Sequence, residues 1–106
     1  MSKSNIRKAD NTMPQRSKKI IWVQMVDMTG IHPMRLGELI EIGWIEPFKS
    51  PVEEYLFSES DVYRIKKLVR ICRDFEVSTL AATIIVDLLE RIEDLQQEVK
   101  HLRGLL

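Results

Sequence analysis

Residues 22–47 carry the pattern of two short helices joined by a tight turn, and this pattern constrains the fold more than any other part of the chain. Thr29-Gly30 ends the first helical segment, because glycine tolerates the left-handed conformation found just past a helix end. Pro33 then stands where proline is favoured, in the first turn of a new helix. Gly43 ends that second helix. The pattern predicts a helix-turn-helix motif with helices over residues 24–28 and 33–42.

Extended segments are expected on both sides of this motif. Residues 20–23 form a short apolar, β-branched run that predicts a strand packed on the domain. Residues 45–48 and 55–57 read as two further strands, separated by turn-forming residues. Such a hairpin after a helix-turn-helix is a wing, with Pro47 and Pro51 at edge or turn positions.

A third helix begins near Ser58, which can cap it, while Asp61 lies in the acid-favouring first turn. Apolar residues recur on one face as far as residue 74. Cys72 lies on this stripe, so we interpret it as a packed thiol. A basic stripe occupies another face and comprises Lys66, Arg70 and Arg73.

The last helix, capped by Ser78, carries a heptad repeat in which apolar residues alternate at spacings of four and three. β-Branched residues at a and leucine at d favour a two-stranded coil. About 28 residues of helix extend for about 42 Å, more than a small domain can cover, so we predict a homodimer with its orientation open. The predicted interface comprises Ile85, Leu88, Ile92, Leu95, Val99, Leu102 and Leu106. The additional apolar residues Leu80, Ile84 and Leu89 are expected to pack on the helix's own domain.

The chain has 106 residues and a formal net charge of zero, which argues against a non-specific nucleic-acid binder. Its single cysteine allows no internal disulfide. With no secretory signal and no apolar run long enough to span a bilayer, a cytoplasmic protein without a membrane segment is expected. Residues 1–19 are basic and aperiodic and are interpreted as a disordered tail, although an electrostatic arm for nucleic acid is a second interpretation.

Residues that carry enzymatic chemistry are scarce. His32 and His101 are the two histidines, and neither has acidic or cysteine neighbours at metal-ligand spacing. The sequence contains no glycine-rich phosphate loop and no nucleophile elbow. We therefore expect no enzyme, no cofactor, no metal and no small-molecule substrate.

Three segments resemble the MerR-like proteins: T-G-I at residues 29–31, I-G-W-I-E-P at 42–47 and Y-L-F-S-E-S-D-V-Y-R-I at 55–65. The resemblance covers about residues 22–106. It implies a mainly α fold, with a MerR-like winged helix-turn-helix domain over residues 20–77. A long C-terminal coiled-coil helix for dimerisation would follow over residues 78–106.

The charges depart from those of a DNA-binding member. Residues 20–57 include six carboxylate side chains and only two cationic ones. The second helix of the motif brings Arg35 alone, with Glu38 and Glu41, whereas each phosphate contact depends on Lys or Arg. A DNA-binding transcriptional regulator, helped by Arg35, Lys49 and the basic tail, therefore stays the second hypothesis.

One branch of this group fits the whole chain better, since the chain resembles the CbpM-type chaperone modulators. Members bind the J-domain of a DnaJ-like co-chaperone (DnaJ/CbpA-like) and inhibit it. J-domains present a basic helix, which an acidic face can bind by charge complementarity. The hypothesised partner-binding residues are Asp27, Glu38, Glu41, Glu46, Glu53 and Glu54. The basic stripe is a rival contact surface, and a coiled-coil adaptor for another protein is the third hypothesis.

Overall fold

The computed structural model describes residues 19–106, which form a small helical domain with a short antiparallel sheet and one long C-terminal helix. The predicted disordered tail lies outside the described residues, except for Lys19. The elements, in chain order, are β1 (Ile20–Ile21), α1 (Trp22–Thr29), α2 (Pro33–Glu41), β2 (Phe48–Lys49), β3 (Tyr55–Phe57), α3 (Glu59–Phe75) and α4 (Thr79–Gly104). The predicted mainly α fold with a winged helix-turn-helix and a long C-terminal helix is confirmed.

The turn between α1 and α2 is built as its sequence predicts. The Thr29 hydroxyl donates to the Met25 carbonyl over 2.7 Å and accepts from the Ile31 N–H over 3.2 Å, which closes the end of α1. Gly30 follows with φ 75°, a conformation that a residue with a Cβ adopts at a cost. The two helices of the motif are confirmed.

Helix α2 begins with a cap that the sequence pattern did not reveal. His32 Nδ1 accepts a hydrogen bond from the Met34 N–H over 3.0 Å, and Pro33 occupies the first helical position. The helix ends where the Gly43 N–H donates to the Ile40 carbonyl and Gly43 takes φ 81°. Histidine therefore serves here as the side-chain acceptor that Ser or Asp more often provides.

Helix α1 starts two residues earlier than predicted, so the expected strand over residues 20–23 is shortened. Only Ile20 and Ile21 pair with the neighbouring strand. Gln24 Oε1 accepts from the Ile21 N–H over 3.0 Å and so caps the new helix at this point. A local cap has therefore overridden the β preference of Trp22 and Val23.

The sheet has the order β1-β3-β2, and all its pairs are antiparallel. The hairpin of β2 and β3 is the predicted wing, but its first strand is Phe48–Lys49 rather than residues 45–48. The N–H groups of Trp44 and Ile45 both donate to the Leu39 carbonyl, which turns the chain back on α2 before the strand can begin. Pro47 has no N–H to offer a ladder.

Helix α3 is confirmed with its cap, since Ser58 and Asp61 exchange side-chain-to-backbone hydrogen bonds at 3.1 and 3.0 Å. Cys72 is buried on its inner face, as predicted. Glu76 follows the helix in the left-handed region, with φ 53°. Ser78 then caps α4 by accepting from the Ala81 N–H over 3.1 Å.

The core is closed by the first turns of α4. Ala82, Thr83 and Val86 are buried there, so the start of α4 packs on its own domain as predicted, but Leu80, Ile84 and Leu89, which suggested this packing, are exposed. For Leu80 and Ile84 the reason is helical phase, because each lies two residues from buried Ala82 and residues two apart lie about 200° apart around a helix. Ile84 and Leu88 therefore face away from the side that Val86 buries. The other core residues are Ile20, Met25, Ile31, Leu36, Leu39, Ile45, Phe57, Val62, Ile65, Leu68, Ile71 and Cys72.

One arginine joins α3, α4 and the segment after α2. The Arg64 guanidinium stacks 4.0 Å from the centroid of the Trp44 ring and donates to the Trp44 carbonyl over 3.1 Å. It also donates to Asp87 over 3.1 Å, and its Nε lies 3.4 Å from a Glu90 carboxylate oxygen without hydrogen-bond geometry. Asp87 in turn accepts from the Trp44 indole N–H over 2.9 Å. These contacts fix the direction in which α4 leaves the domain.

Candidate functional site

The outer face of α2 combines carboxylates with large apolar side chains. Leu36 and Leu39 are buried on the inner side, while Met34, Glu38 and Glu41 are exposed. Arg35, which is half-buried, is the single cation that α2 carries. A helix of this composition presents hydrogen-bond acceptors and apolar surface, and it offers little to a phosphate backbone.

The six predicted partner-binding acids are all exposed, but they lie on different elements. Glu38 and Glu41 share the outer face of α2 and line the same concavity. Asp27 lies on α1, and Glu46 follows the turn after α2. Glu53 and Glu54 are in the wing, between β2 and β3.

Within the hairpin, Glu53 makes a contact through its carboxylate, whereas Glu54 makes one through its backbone N–H. Glu53 has φ 61° and lies 3.9 Å from the Lys49 ammonium. The Glu54 N–H donates to the Ser50 hydroxyl over 3.1 Å, which orders the turn. An exposed pair of this kind contributes little to stability, so both carboxylates are still open to solvent.

A cleft of about 940 Å³ lies between α2 and the corner where α3 meets α4. Its carboxylates are Glu38 and Glu41, and its largest exposed apolar side chains are Met34, Ile42 and Leu80. The remaining lining residues are Gly30, Ile31, His32, Arg35, Val69, Ser78 and Thr79. The fold thus brings an acidic rim and an apolar surface into one concavity.

The apolar half of this cleft was not found from the sequence. Met34 and Ile42 are eight residues apart, which places them on the same side of a helix as Glu38. That spacing is a signal that could have been read. Leu80 gave no such signal, because it joins the cleft only through the packing of α4 against α3.

The wing presents lysines over aromatic rings. The Lys19 ammonium lies 5.1 Å from the centroid of the Phe48 ring, and the Lys49 ammonium lies 5.6 Å from that of Tyr55. Tyr55 also packs against Trp22, with ring centroids 6.1 Å apart. The surface is cationic and aromatic, in contrast to the face of α2.

The basic residues of α3 divide into two groups. Arg64 and Lys67 pair with carboxylates of α4 and so have structural partners. The predicted basic stripe of Lys66, Arg70 and Arg73 is exposed. Within residues 19–106, Lys66 and Arg70 have no carboxylate at ion-pair distance.

The heptad stripe of α4 is exposed on the side of the helix away from its domain. Leu88, Ile92, Leu95, Val99, Leu102 and Leu106 are all exposed. A shallow groove of about 470 Å³ runs along Ile92, Leu95 and Val99. Ile85 differs from the other predicted interface residues, because it is partly buried against the core of its own chain.

Metal and membrane features can be assessed only in the part of the chain that the structure describes. Across residues 19–106, no three His, Cys, Asp or Glu side chains gather as a metal site. Over the same residues, no helix has the combination of length and apolar character that crossing a membrane requires.

The order of a helix-turn-helix, a two-stranded wing and a long final helix defines a winged helix-turn-helix regulatory protein. Comparison with known families gives the same class, since residues 20–104 match the family described as MerR HTH family regulatory protein. The match spans most of the sequence, and the chain belongs to this family. No curated protein matches the sequence.

Proposed function

We propose that the chain is a non-enzymatic chaperone modulator that binds the J-domain of a DnaJ-like co-chaperone and inhibits it by competition. The observation that carries this proposal is the outer face of α2, where Glu38 and Glu41 are exposed at positions from which a DNA-binding helix would offer cations. Carboxylates there would repel phosphate and attract a basic protein surface.

Competition requires that both partners use one surface of the J-domain. Hsp70 engages the basic helix of a J-domain, so an acidic binder on that helix excludes it by overlap. Interface charges of this kind raise the association rate and select the partner, and they make binding sensitive to salt. The mechanism needs no cofactor and no covalent step.

The proposed protein acts as a homodimer through α4. The support is the exposed heptad stripe, because contiguous large apolar side chains are seldom left in water unless they form an interface. The stripe residues from Leu88 to Leu106 are exposed on α4, and the acids Glu38 and Glu41 lie on α2, so the two proposed contacts use different elements.

The test is a titration of the full chain with an isolated J-domain of a DnaJ-type co-chaperone by calorimetry. The double variant Glu38→Lys/Glu41→Lys is expected to weaken binding at least about tenfold, because it reverses two charges facing a basic helix. Glu53→Lys/Glu54→Lys makes the same charge change on the wing and reports whether the wing takes part. Unchanged affinity in both double variants, or no binding by the wild type, would refute the proposal.

The second candidate is a transcriptional regulator that binds duplex DNA. The lysines at the wing favour it, since Lys19 and Lys49 are exposed. In that case duplex DNA would bind at physiological salt with a steep salt dependence, and Arg35→Ala or Lys49→Ala would reduce the slope by about one unit. DNA binding together with no J-domain binding would reverse the order of the two candidates.

A further inference from the structure

The cleft between α2 and the start of α4 contains more exposed apolar surface than the fold requires. Met34 is 74% exposed, Leu80 is 61% exposed and Ile42 is 53% exposed. They come from two sequence-distant elements and line one concavity. Since each is mostly in water, none is needed to close the core, and a partner that covers them would gain from their burial.

The charges at the rim of the cleft restrict that partner. Glu38 and Glu41 are exposed, and neither has a salt-bridge partner among residues 19–106. Among the residues that the structure describes, Arg35 is the one cation along the cleft lining. A partner that complements this cleft therefore presents apolar side chains flanked by Lys or Arg. A basic amphipathic helix has this composition.

We infer that this cleft is the docking groove for the basic helix of the J-domain, and that its apolar residues hold the helix that the carboxylates attract. The inference rests on the proposed function and deepens it, because it assigns the contact to Met34, Ile42 and Leu80 as well as to the acids. Charged rims steer association, while buried apolar anchors near the centre of an interface supply most of the affinity.

The inference separates the acids that the sequence grouped together. Glu38 and Glu41 flank the groove, whereas Asp27, Glu53 and Glu54 do not line it. Removing the charge of the first two should therefore reduce the salt dependence of binding, and the same change on the wing should not. The apolar residues should act on affinity at every salt concentration, since their contribution is not screened.

The test compares two double variants in the full chain, again titrated with an isolated J-domain. Met34→Gln/Leu80→Gln replaces apolar groove residues by polar side chains suited to a helix, at positions too exposed to affect folding strongly. Val23→Gln/Val52→Gln makes a similar change at exposed residues outside the groove, where side chains are 62% and 81% exposed. We expect at least about tenfold weaker binding, or about 1.4 kcal/mol, from the groove variant. The control should bind within about twofold of the wild type.

The outcomes distinguish this inference from the proposed function. If the wild type binds and the groove variant binds equally well, the groove is not the docking site, although the proposed function stands. If the wild type does not bind the J-domain, both fail. If sedimentation shows that the groove variant has become a monomer, a second copy of the chain covers the cleft and the inference is overturned.

Discussion

Substituting Arg64 by alanine removes the side chain that joins the segment after α2 to both α3 and α4. Arg64 stacks on the Trp44 ring, donates to the Trp44 carbonyl and pairs with Asp87. Its side chain is only 25% exposed, so these contacts are screened less than those of a surface arginine. The variant therefore tests how much this connection contributes to the stability of the fold.

The expected loss follows from the individual contacts. A cation–π contact contributes about 0.5–2 kcal/mol, and a hydrogen bond from a charged donor contributes about 1.5–3 kcal/mol. The pair with Asp87 adds less than about 1 kcal/mol, since that carboxylate is more than half exposed. These contacts and the ion pair with Glu90 share one side chain and are not additive, so we expect Arg64→Ala to lower the free energy of unfolding by about 2–3 kcal/mol.

The assay is urea and thermal unfolding followed by far-UV circular dichroism. Protein concentration is held constant, because the proposed dimerisation would make the apparent stability depend on it. For a domain of this size the melting temperature should fall by about 10–20 °C. Arg70→Ala is the matched control, being the same substitution on the same helix at an exposed arginine without a carboxylate partner, and it should change stability by less than about 0.5 kcal/mol. Equal effects of the two substitutions would refute the role given to Arg64.

Two further predictions concern α4 and Glu76, the residue that follows α3. Leu95→Lys places a charge in the heptad stripe and should give a monomer by sedimentation. The control Gln97→Lys, on the outer side of the helix, should stay a dimer. A dimer that survives Leu95→Lys would contradict the heptad assignment. Glu76→Gly removes a Cβ from a left-handed residue and should raise the free energy of unfolding by about 0.5–1 kcal/mol in urea. Glu46→Gly, at a residue without positive φ, should lower it instead, and a loss of stability in both variants would count against strain at Glu76.

The parts of the fold that the sequence predicted correctly are those set by short-range chemistry. Gly30 and Gly43 both take positive φ at helix ends, and Ser58 and Ser78 both cap the helices that follow them. Each of these signals depends on residues within three or four positions. Local patterns were therefore enough to order the helices and to locate the wing.

The errors arose where distant residues decide the outcome. The first wing strand was placed too early because nothing local indicates that Ile45 would bond back to α2 and enter the core. Leu80 was expected to pack inward, yet the phase of α4 is set by Ala82 and Val86 against α3. The same limitation hid the cleft, because its two walls are separated by nearly forty residues.

The fold depends on the inner face of α2, whereas the partner is proposed to contact the outer face. Leu36 and Leu39 are buried on the inner face of α2. Their burial holds the helix in place whatever its outer face binds, so these two residues carry no information about the partner. Glu38 and Glu41 are exposed, and within residues 19–106 neither carboxylate forms an ion pair. Replacing them should therefore leave unfolding unchanged within about 0.5 kcal/mol while altering the partner. A variant that binds differently but unfolds identically would show that these two carboxylates determine binding and do not determine the fold.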